Sequence, residues 1–200
     1  MIKKIPTHEL IEKNVGIMAE KRGLSLINKD ASRNPDVLTY EFSSSEKKEK
    51  AIIFIVIIEH RYLQGEDFAK LLQEVYSRLY KKYEFLDFLV IVPNDKETNT
   101  FLLKRRDTML QGKENLRINL HPYHYFTSNI LEHISVGQVK ILSKEEKEAL
   151  LIEHASSEEK YNTDFRDKVI PVWLGAEHGD IIQYSIITRG GIDYNYTRIV

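Results

Sequence analysis

The sequence predicts an α/β protein in two parts: a three-layer α/β domain over residues 1–128, then a small two-layer α/β module over 129–200 that ends in a β-hairpin. Three observations carry this expectation. A continuously apolar, β-branched run, Ala51–Ile58, and a second buried strand, Phe85–Val92, flank an amphipathic stretch. That is the pattern of parallel strands buried on both faces and joined by a crossover helix. Past about Asn129 the elements become shorter, which sets a boundary at 126–132 without any Gly/Ser-rich linker. The chain then closes on two apolar stretches separated by Arg189-Gly190-Gly191, the mark of a hairpin.

Taken in order, Thr7 caps a helix whose apolar positions Leu10, Ile11, Val15 and Met18 recur at helical spacing, and Gly23 stops it. A strand is expected over Val37–Phe42, followed by a polar, flexible loop over Ser43–Lys50. After the first apolar strand, Phe68, Leu71, Leu72, Val75 and Leu79 trace an amphipathic helix. Beyond the second apolar strand come a helix near Thr98–Leu110 and a short strand, Leu116–Leu120. In the C-terminal module Val139–Leu142 is a strand, and Ser143 with Glu146 forms a capping box for a helix to about Glu153. A polar run, His154–Asp167, precedes Pro171. Gly175-x-x-x-Gly179-Asp180 is a tight turn feeding a strand, and Ile192–Arg198 folds back on it. Chain ends fray unless something holds them, so a strand this close to the last residue implies burial against a partner.

Composition narrows the function classes. Hydrophobic residues make up 42% and charged residues 30%, the balance of a folded soluble domain. The net charge is −1, with 21 basic and 18 acidic side chains over residues 1–128 and 8 and 12 over the rest. No global field draws such a chain to nucleic acid or to a membrane. There are no cysteines, which excludes disulfides, thiolate catalysis and zinc-ribbon sites. The longest apolar run has eight residues, too few to span a bilayer. Met1-Ile2-Lys3-Lys4-Ile5-Pro6 leads directly into the first helix with no signal-peptide pattern, so a soluble intracellular protein is expected.

Three clusters carry possible chemistry. Pro35-Asp36 followed by Glu59-His60-Arg61 at the end of a buried strand resembles the Pro-Asp and Asp/Glu-x-Lys set with which restriction-type nucleases hold Mg²⁺ and orient water. Here Arg61 stands where the lysine would be, and a guanidinium cannot act as a base, only neutralise charge. An Mg²⁺-dependent nuclease using Asp36, Glu59 and Arg61 is therefore the alternative function. His121-Pro122-Tyr123-His124 offers two imidazoles, but no carboxylate or cysteine accompanies them and the proline opposes a helix that would align them. Aromatic packing at a domain junction is the favoured reading. Lys104-Arg105-Arg106 is the densest basic cluster, either a solvated helix face or a contact for DNA phosphates. The helix dipole accounts for Lys81-Lys82. No phosphate-binding glycine loop, nucleophile elbow or single-strand RNA signature is present.

The C-terminal third also carries a family resemblance. It lies in Trp173-Leu174-Gly175-Ala176-Glu177-His178-Gly179-Asp180-Ile181-Ile182-Gln183-Tyr184 and the closing Tyr194-Asn195-Tyr196-Thr197-Arg198-Ile199-Val200. Upstream, His133-Ile134-Ser135-Val136 and Leu142-Ser143-Lys144-Glu145-Glu146 form a second block in the same order and separation. Together they resemble the C-terminal module of the fifth subunit of eukaryotic RNA polymerases, which has a counterpart among the small subunits of the archaeal enzyme. Over the N-terminal part the similarity rests on element order, total length, and Lys21-Arg22-Gly23 closing the first helix. The pattern departs from the family in several places. Glu177 and His178 stand where the family has a basic pair, Gly137 where it has proline, and Ile186-Ile187-Thr188-Arg189-Gly190 where it has a polar hairpin loop. Tyr161-Asn162 and Lys168-Val169 stand in place of its Leu-Pro and Asp-Pro. His121-Pro122-Tyr123-His124 with Phe126, and Val172-Trp173-Leu174-Gly175, look similar to polymerase subunits encoded by large cytoplasmic DNA viruses.

The resemblance implies a non-catalytic polymerase subunit without cofactor or metal. Its C-terminal module would dock on the largest subunit, with His133, Val136, Gly175, Gly179, Ile181, Ile182, Tyr194 and Arg198 forming the module core and interface. Its N-terminal domain would be a jaw of restriction-endonuclease-like fold without nuclease activity. That jaw would lie beside downstream duplex DNA, with Lys104, Arg105 and Arg106 as candidate backbone contacts. Neither a membrane nor a small-molecule substrate is implied. The protein would sit in the nucleus if cellular, and in the host cytoplasm and virion if viral.

Overall fold

A computed structural model describes residues 7–30, 37–43, 50–57, 67–92, 96–132 and 137–200. The chain divides into two compact units, Met1–Ser128 and Asn129–Val200. Among the described residues it is a mixed α/β protein with two sheets and five helices.

In the first unit, helix α1 (Thr7–Lys21) ends at Gly23, whose φ of 67° is left-handed and lets the chain turn back. Strands β1 (Ser25–Asp30), β2 (Val37–Ser43) and β3 (Lys50–Ile57) follow as an antiparallel meander. Helix α2 (Asp67–Leu79) then crosses to β4 (Phe85–Val92), and α3 (Lys96–Leu110) to β5 (Leu116–Pro122), both strands parallel to β3. The sheet order is β1-β2-β3-β4-β5.

Cross-strand partners point to the same face of a sheet, so the register sorts the side chains into two layers. Ile53 and Ile55 of β3 pair with Phe88 and Val90 of β4, and this face packs on Phe68, Leu72, Val75 and Leu79 of α2 and Leu102 and Met109 of α3. The other face carries Tyr40, Phe42, Ile52, Phe54, Leu89 and Ile91, all buried. Phe42 meets Phe54 edge-on at 5.4 Å. Helix α1 lies on that side: its Glu12 carboxylate is close enough to the buried Tyr40 phenol to raise its pKa together with burial. The stripe Ile11, Val15, Met18 and Ala19 of α1 is buried. Ile11, Val15 and Met18 each contribute roughly 1.5–3 kcal/mol on leaving water. With helices on both faces, β3 and β4 are apolar along almost their whole length instead of alternating.

β1 is an element the sequence analysis did not anticipate. It is an edge strand, and its Leu26 and Ile27 are about half exposed, so no buried face imposes an apolar alternation. β5 runs two residues past its expected end and α3 starts two earlier. The predicted loop Ser43–Lys50 falls, apart from its two ends, outside the described residues.

The second unit holds β6 (Val139–Ile141), α4 (Lys144–Glu153), β7 (Asn162–Asp164), α5 (Val169–Leu174), β8 (Ile181–Thr188) and β9 (Gly191–Ile199). The sheet order is β6-β8-β9-β7, antiparallel except for β7 beside β9. The capping box forms as the sequence predicts: Glu146 N–H donates to Ser143 Oγ at 3.2 Å, and Ser143 N–H to the Glu146 carboxylate at 2.9 Å. One face of the sheet holds Ile182, Ile199, Val139, Ile141 and Tyr184, closed by Leu174 and Ala176 at the end of α5. The other carries Tyr196, which meets His154, the residue capping α4, at 5.7 Å. Helical segments thus reach both faces, a layer more than the sequence predicts. The added element is α5, hidden because Pro171 suggests a break. A proline in the first turn of a helix costs nothing, since its missing N–H would have had no partner there.

Candidate functional site

The turn-and-hairpin region that carries the resemblance is held together by backbone bonds. Gly175 follows α5 with φ 75°, and Ala176 N–H returns to Pro171 O at 2.9 Å, closing the helix. Asp180 then closes the next turn, its carboxylate accepting Glu177 N–H at 2.7 Å. Gly179, at φ 91°, donates its N–H to Ile199 O at 2.9 Å, and Lys147 of α4 reaches its carbonyl at 2.9 Å. The two glycines therefore mark the two places where the backbone must turn left-handed to bring α5 onto the start of β8. Glu177 is paired with Arg166 at 3.0 Å.

The sequence-predicted residues separate into three groups. Gly175, Gly179, Ile181 and Ile182 come together at the base of the hairpin, and both isoleucines are fully buried. Tyr194 does not belong to this core: it is 51% exposed, lying in the outer half of β9 beyond the reach of the flanking strands. Arg198 pairs across the sheet with Ile181 and with Thr163, and its Nε is buried without an acceptor among the described residues. His133 and Val136 lie outside the described residues, as do Asp36, Glu59 and Arg61.

The end of β9 is held by backbone bonds within the unit: Ile199 N–H donates to Asp180 O and Val200 N–H to Asp164 O, at 2.9 and 3.0 Å. This chain's own β7 and turn hold the strand.

The basic cluster is not one patch. Lys104 is exposed, Arg106 is bonded to its neighbour Asp107 at 2.7 Å, and Arg105 borders a groove of about 670 Å³ between α2 and α3. Lys70, Glu74 and Lys113 line the same groove, so both signs of charge meet there. His121 sits inside an aromatic group of the first unit, stacked on Tyr125 at 6.0 Å and edge-on to Phe126 at 6.3 Å. Tyr123, from the same run, donates its hydroxyl to Ile57 O, and burial pushes its pKa up to about 12.

Two polar anchors escaped the sequence analysis. Asp87, on apolar β4, is 1% exposed and receives Arg117 Nε at 2.9 Å from its partner position on β5, with a second bond from Nη2. Glu41 of β2 accepts the Tyr83 hydroxyl at 2.6 Å and pairs with Lys82, pinning the turn after α2 to the sheet. Burial and this bond to Glu41 raise the pKa of Tyr83. The available signal was a single acidic residue inside Phe85-Leu86-Asp87-Phe88-Leu89-Val90, since a lone charge in a buried strand must be paired. Among the described residues, no group of three or more His, Asp or Glu side chains is arranged to hold a metal ion. No helix among them is long and apolar enough to cross a membrane. No protein-family model matches the chain, and no curated protein does.

Proposed function

We propose that this chain is a non-catalytic subunit of a multisubunit DNA-dependent RNA polymerase, of the type of the fifth subunit. Residues 129–200 dock on the largest subunit, and residues 1–128 form the jaw beside downstream DNA, positioning it through phosphates without reading bases. Catalysis and metal ions belong to the large subunits.

One observation supports this reading above the rest. The residues of the C-terminal resemblance fall at positions with a structural reason to be what they are. Gly175 and Gly179 occupy left-handed turns, Ile181 and Ile182 the core, and Ser143 with Glu146 a capping box. The departures, Glu177, His178 and the hairpin tip, lie at partly or fully exposed positions apart from Ile187, which is not described. A scaffold kept with an altered surface is what a divergent subunit bound to divergent partners requires. The helix, three-strand meander and βαβ order of the first unit suits a jaw of restriction-endonuclease-like fold, and that part of the reading is analogy at the level of fold.

The test is affinity isolation of the tagged chain from its native source, with mass spectrometry of the bound proteins. Two very large polymerase subunits in near-equal amounts are expected. Recovery of the chain alone, or with unrelated proteins, overturns the reading. A Mg²⁺-dependent cleavage assay with Glu59→Ala then decides the nuclease alternative.

A further inference from the structure

The outer half of the β8–β9 hairpin stands without flanking strands. β6 pairs with β8 only as far as Tyr184, with a last backbone bond from Ser185 N–H to Gln138 O at 2.8 Å. On the other side β7 covers only Thr197–Ile199 of β9. Residues 191–195 are consequently all exposed, and Ile192 and Tyr194 are among the largest exposed apolar side chains described. Both point to the face that also carries Tyr196, which sits between His154 and Tyr161 at 5.7 and 6.1 Å.

A strand edge leaves alternate N–H and C=O groups open to pairing, and soluble proteins usually spoil such edges with charged side chains, proline or a bulge. This one has neither proline nor bulge, and its one charge is Asp193. Its sequence is Gly191-Ile192-Asp193-Tyr194-Asn195, and the register with β8 runs unshifted from Ile181/Arg198 to Thr188/Gly191. An isolated two-stranded ribbon is marginally stable in water, so a third strand would also stabilise it.

Charge indicates what that strand carries. Asp193 lies on the edge itself, and Glu153 is close enough to Tyr196 to help raise its pKa. Of the cations around this face, Lys147 pairs with Glu158 at 2.9 Å and Lys140 with Glu146. Arg198 lies at the covered end of β9 beside Ile181 and Thr163, and Arg189 stands at the hairpin tip, so Asp193 is the one charge within residues 191–195. A second copy paired about Asp193 would set that carboxylate against its own counterpart, and any register brings together two modules with 12 acidic and 8 basic side chains each. A segment bearing lysine or arginine meets no such repulsion and can also lie against the tyrosine faces.

We infer that the outer edge of β9, residues 191–195, accepts by strand addition an extended partner segment in which apolar residues alternate with lysine or arginine. The inference rests on the proposed docking reading for the identity of the partner, and on the geometry of the second unit alone for the edge.

The test is amide hydrogen exchange on the full chain with a short synthetic peptide alternating valine and lysine. Exchange at residues 191–195 should slow by about tenfold or more. The same peptide with glutamate for lysine should give no protection, and the double substitution Ile192→Lys, Tyr194→Lys should abolish it. Both positions are exposed, and Trp173 fluorescence checks that the unit stays folded. Absence of protection, equal protection by the glutamate peptide, or protection that rises with chain concentration alone overturns the inference. Applied to the isolated polymerase complex, the same measurement separates the two readings. Large subunits recovered with residues 191–195 unprotected sink the edge assignment and leave the subunit reading standing. Protection by the lysine peptide with no large subunits recovered does the reverse.

Discussion

Replacing Arg117 with methionine should cost the first unit about 2–3 kcal/mol. The Asp87 side chain is 2% exposed and takes two bonds from the Arg117 guanidinium, so the substitution leaves a carboxylate buried beside an apolar thioether. Breaking a buried pair from one side typically costs about 3–5 kcal/mol. Two features of this site reduce that figure. Arg117 is itself 23% exposed, and Lys50 Nζ stays 4.0 Å from Asp87 as a weaker second partner. For a unit of this size, about 2–3 kcal/mol lowers the melting temperature by roughly 8–10 °C. Urea denaturation followed by far-ultraviolet circular dichroism measures it, with Asp87→Val/Arg117→Met as the decisive companion. Removing both charges leaves no orphan, and the double variant should regain at least about 2 kcal/mol. A loss below about 0.5 kcal/mol in the single variant, or a double variant no better than the single, would refute the reasoning.

Three further outcomes follow from the same geometry. Tyr123, Tyr83 and Lys82 all have folded pKa values raised above their ordinary values, so the stability they contribute is complete below about pH 10 and is lost as the pH rises through the folded values, about 12 for Tyr123. The urea midpoint should therefore fall above about pH 10, and less steeply in Tyr123→Phe and Tyr83→Phe. An alanine Cβ at Gly137, at φ 64°, would meet the Ser185 carbonyl oxygen at 2.2 Å, whereas at Gly179, at φ 91°, it meets nothing within 4 Å. Gly137→Ala should cost about 3 kcal/mol or more and Gly179→Ala about 1–2 kcal/mol, read by Trp173 fluorescence. If residues 1–128 act as the proposed jaw and contact DNA through the basic cluster, alanine at Lys104, Arg105 and Arg106 should reduce the slope of log affinity against log salt by at most about 2 to 3 in a duplex-binding titration. An unchanged slope removes the cluster from the interface.

Much of the fold was legible because it follows from local pattern. Strands β3 and β4 and helix α2 show in the apolar periodicity, since a strand covered on both faces has no polar side and an amphipathic helix has one. The Ser143 capping box and the Gly23 stop are equally local. β1, β7 and α5 were not legible. Two are short or edge strands with no buried face to impose a pattern, and α5 depends on the position of Pro171 relative to a helix start that the sequence does not mark.

For the candidate site, the sequence by itself determined that Gly175 and Gly179 are turns and that Ile181 and Ile182 lead into a buried strand, because φ freedom and hydrophobicity belong to the residue. Only the tertiary structure decided which side of that hairpin is covered. Tyr194 has the character of a core residue, yet β7 stops three residues short of it and leaves it in the open. The same holds for the charges: Lys104, Arg105 and Arg106 are adjacent in the chain, but helical geometry turns successive residues about 100° apart and sends them to different surroundings. Asp87 and Arg117 are far apart in the chain, yet parallel pairing of β4 with β5 brings them into contact. Burial and pairing are properties of neighbours in space, and a single chain read along its length lists only the neighbours in sequence.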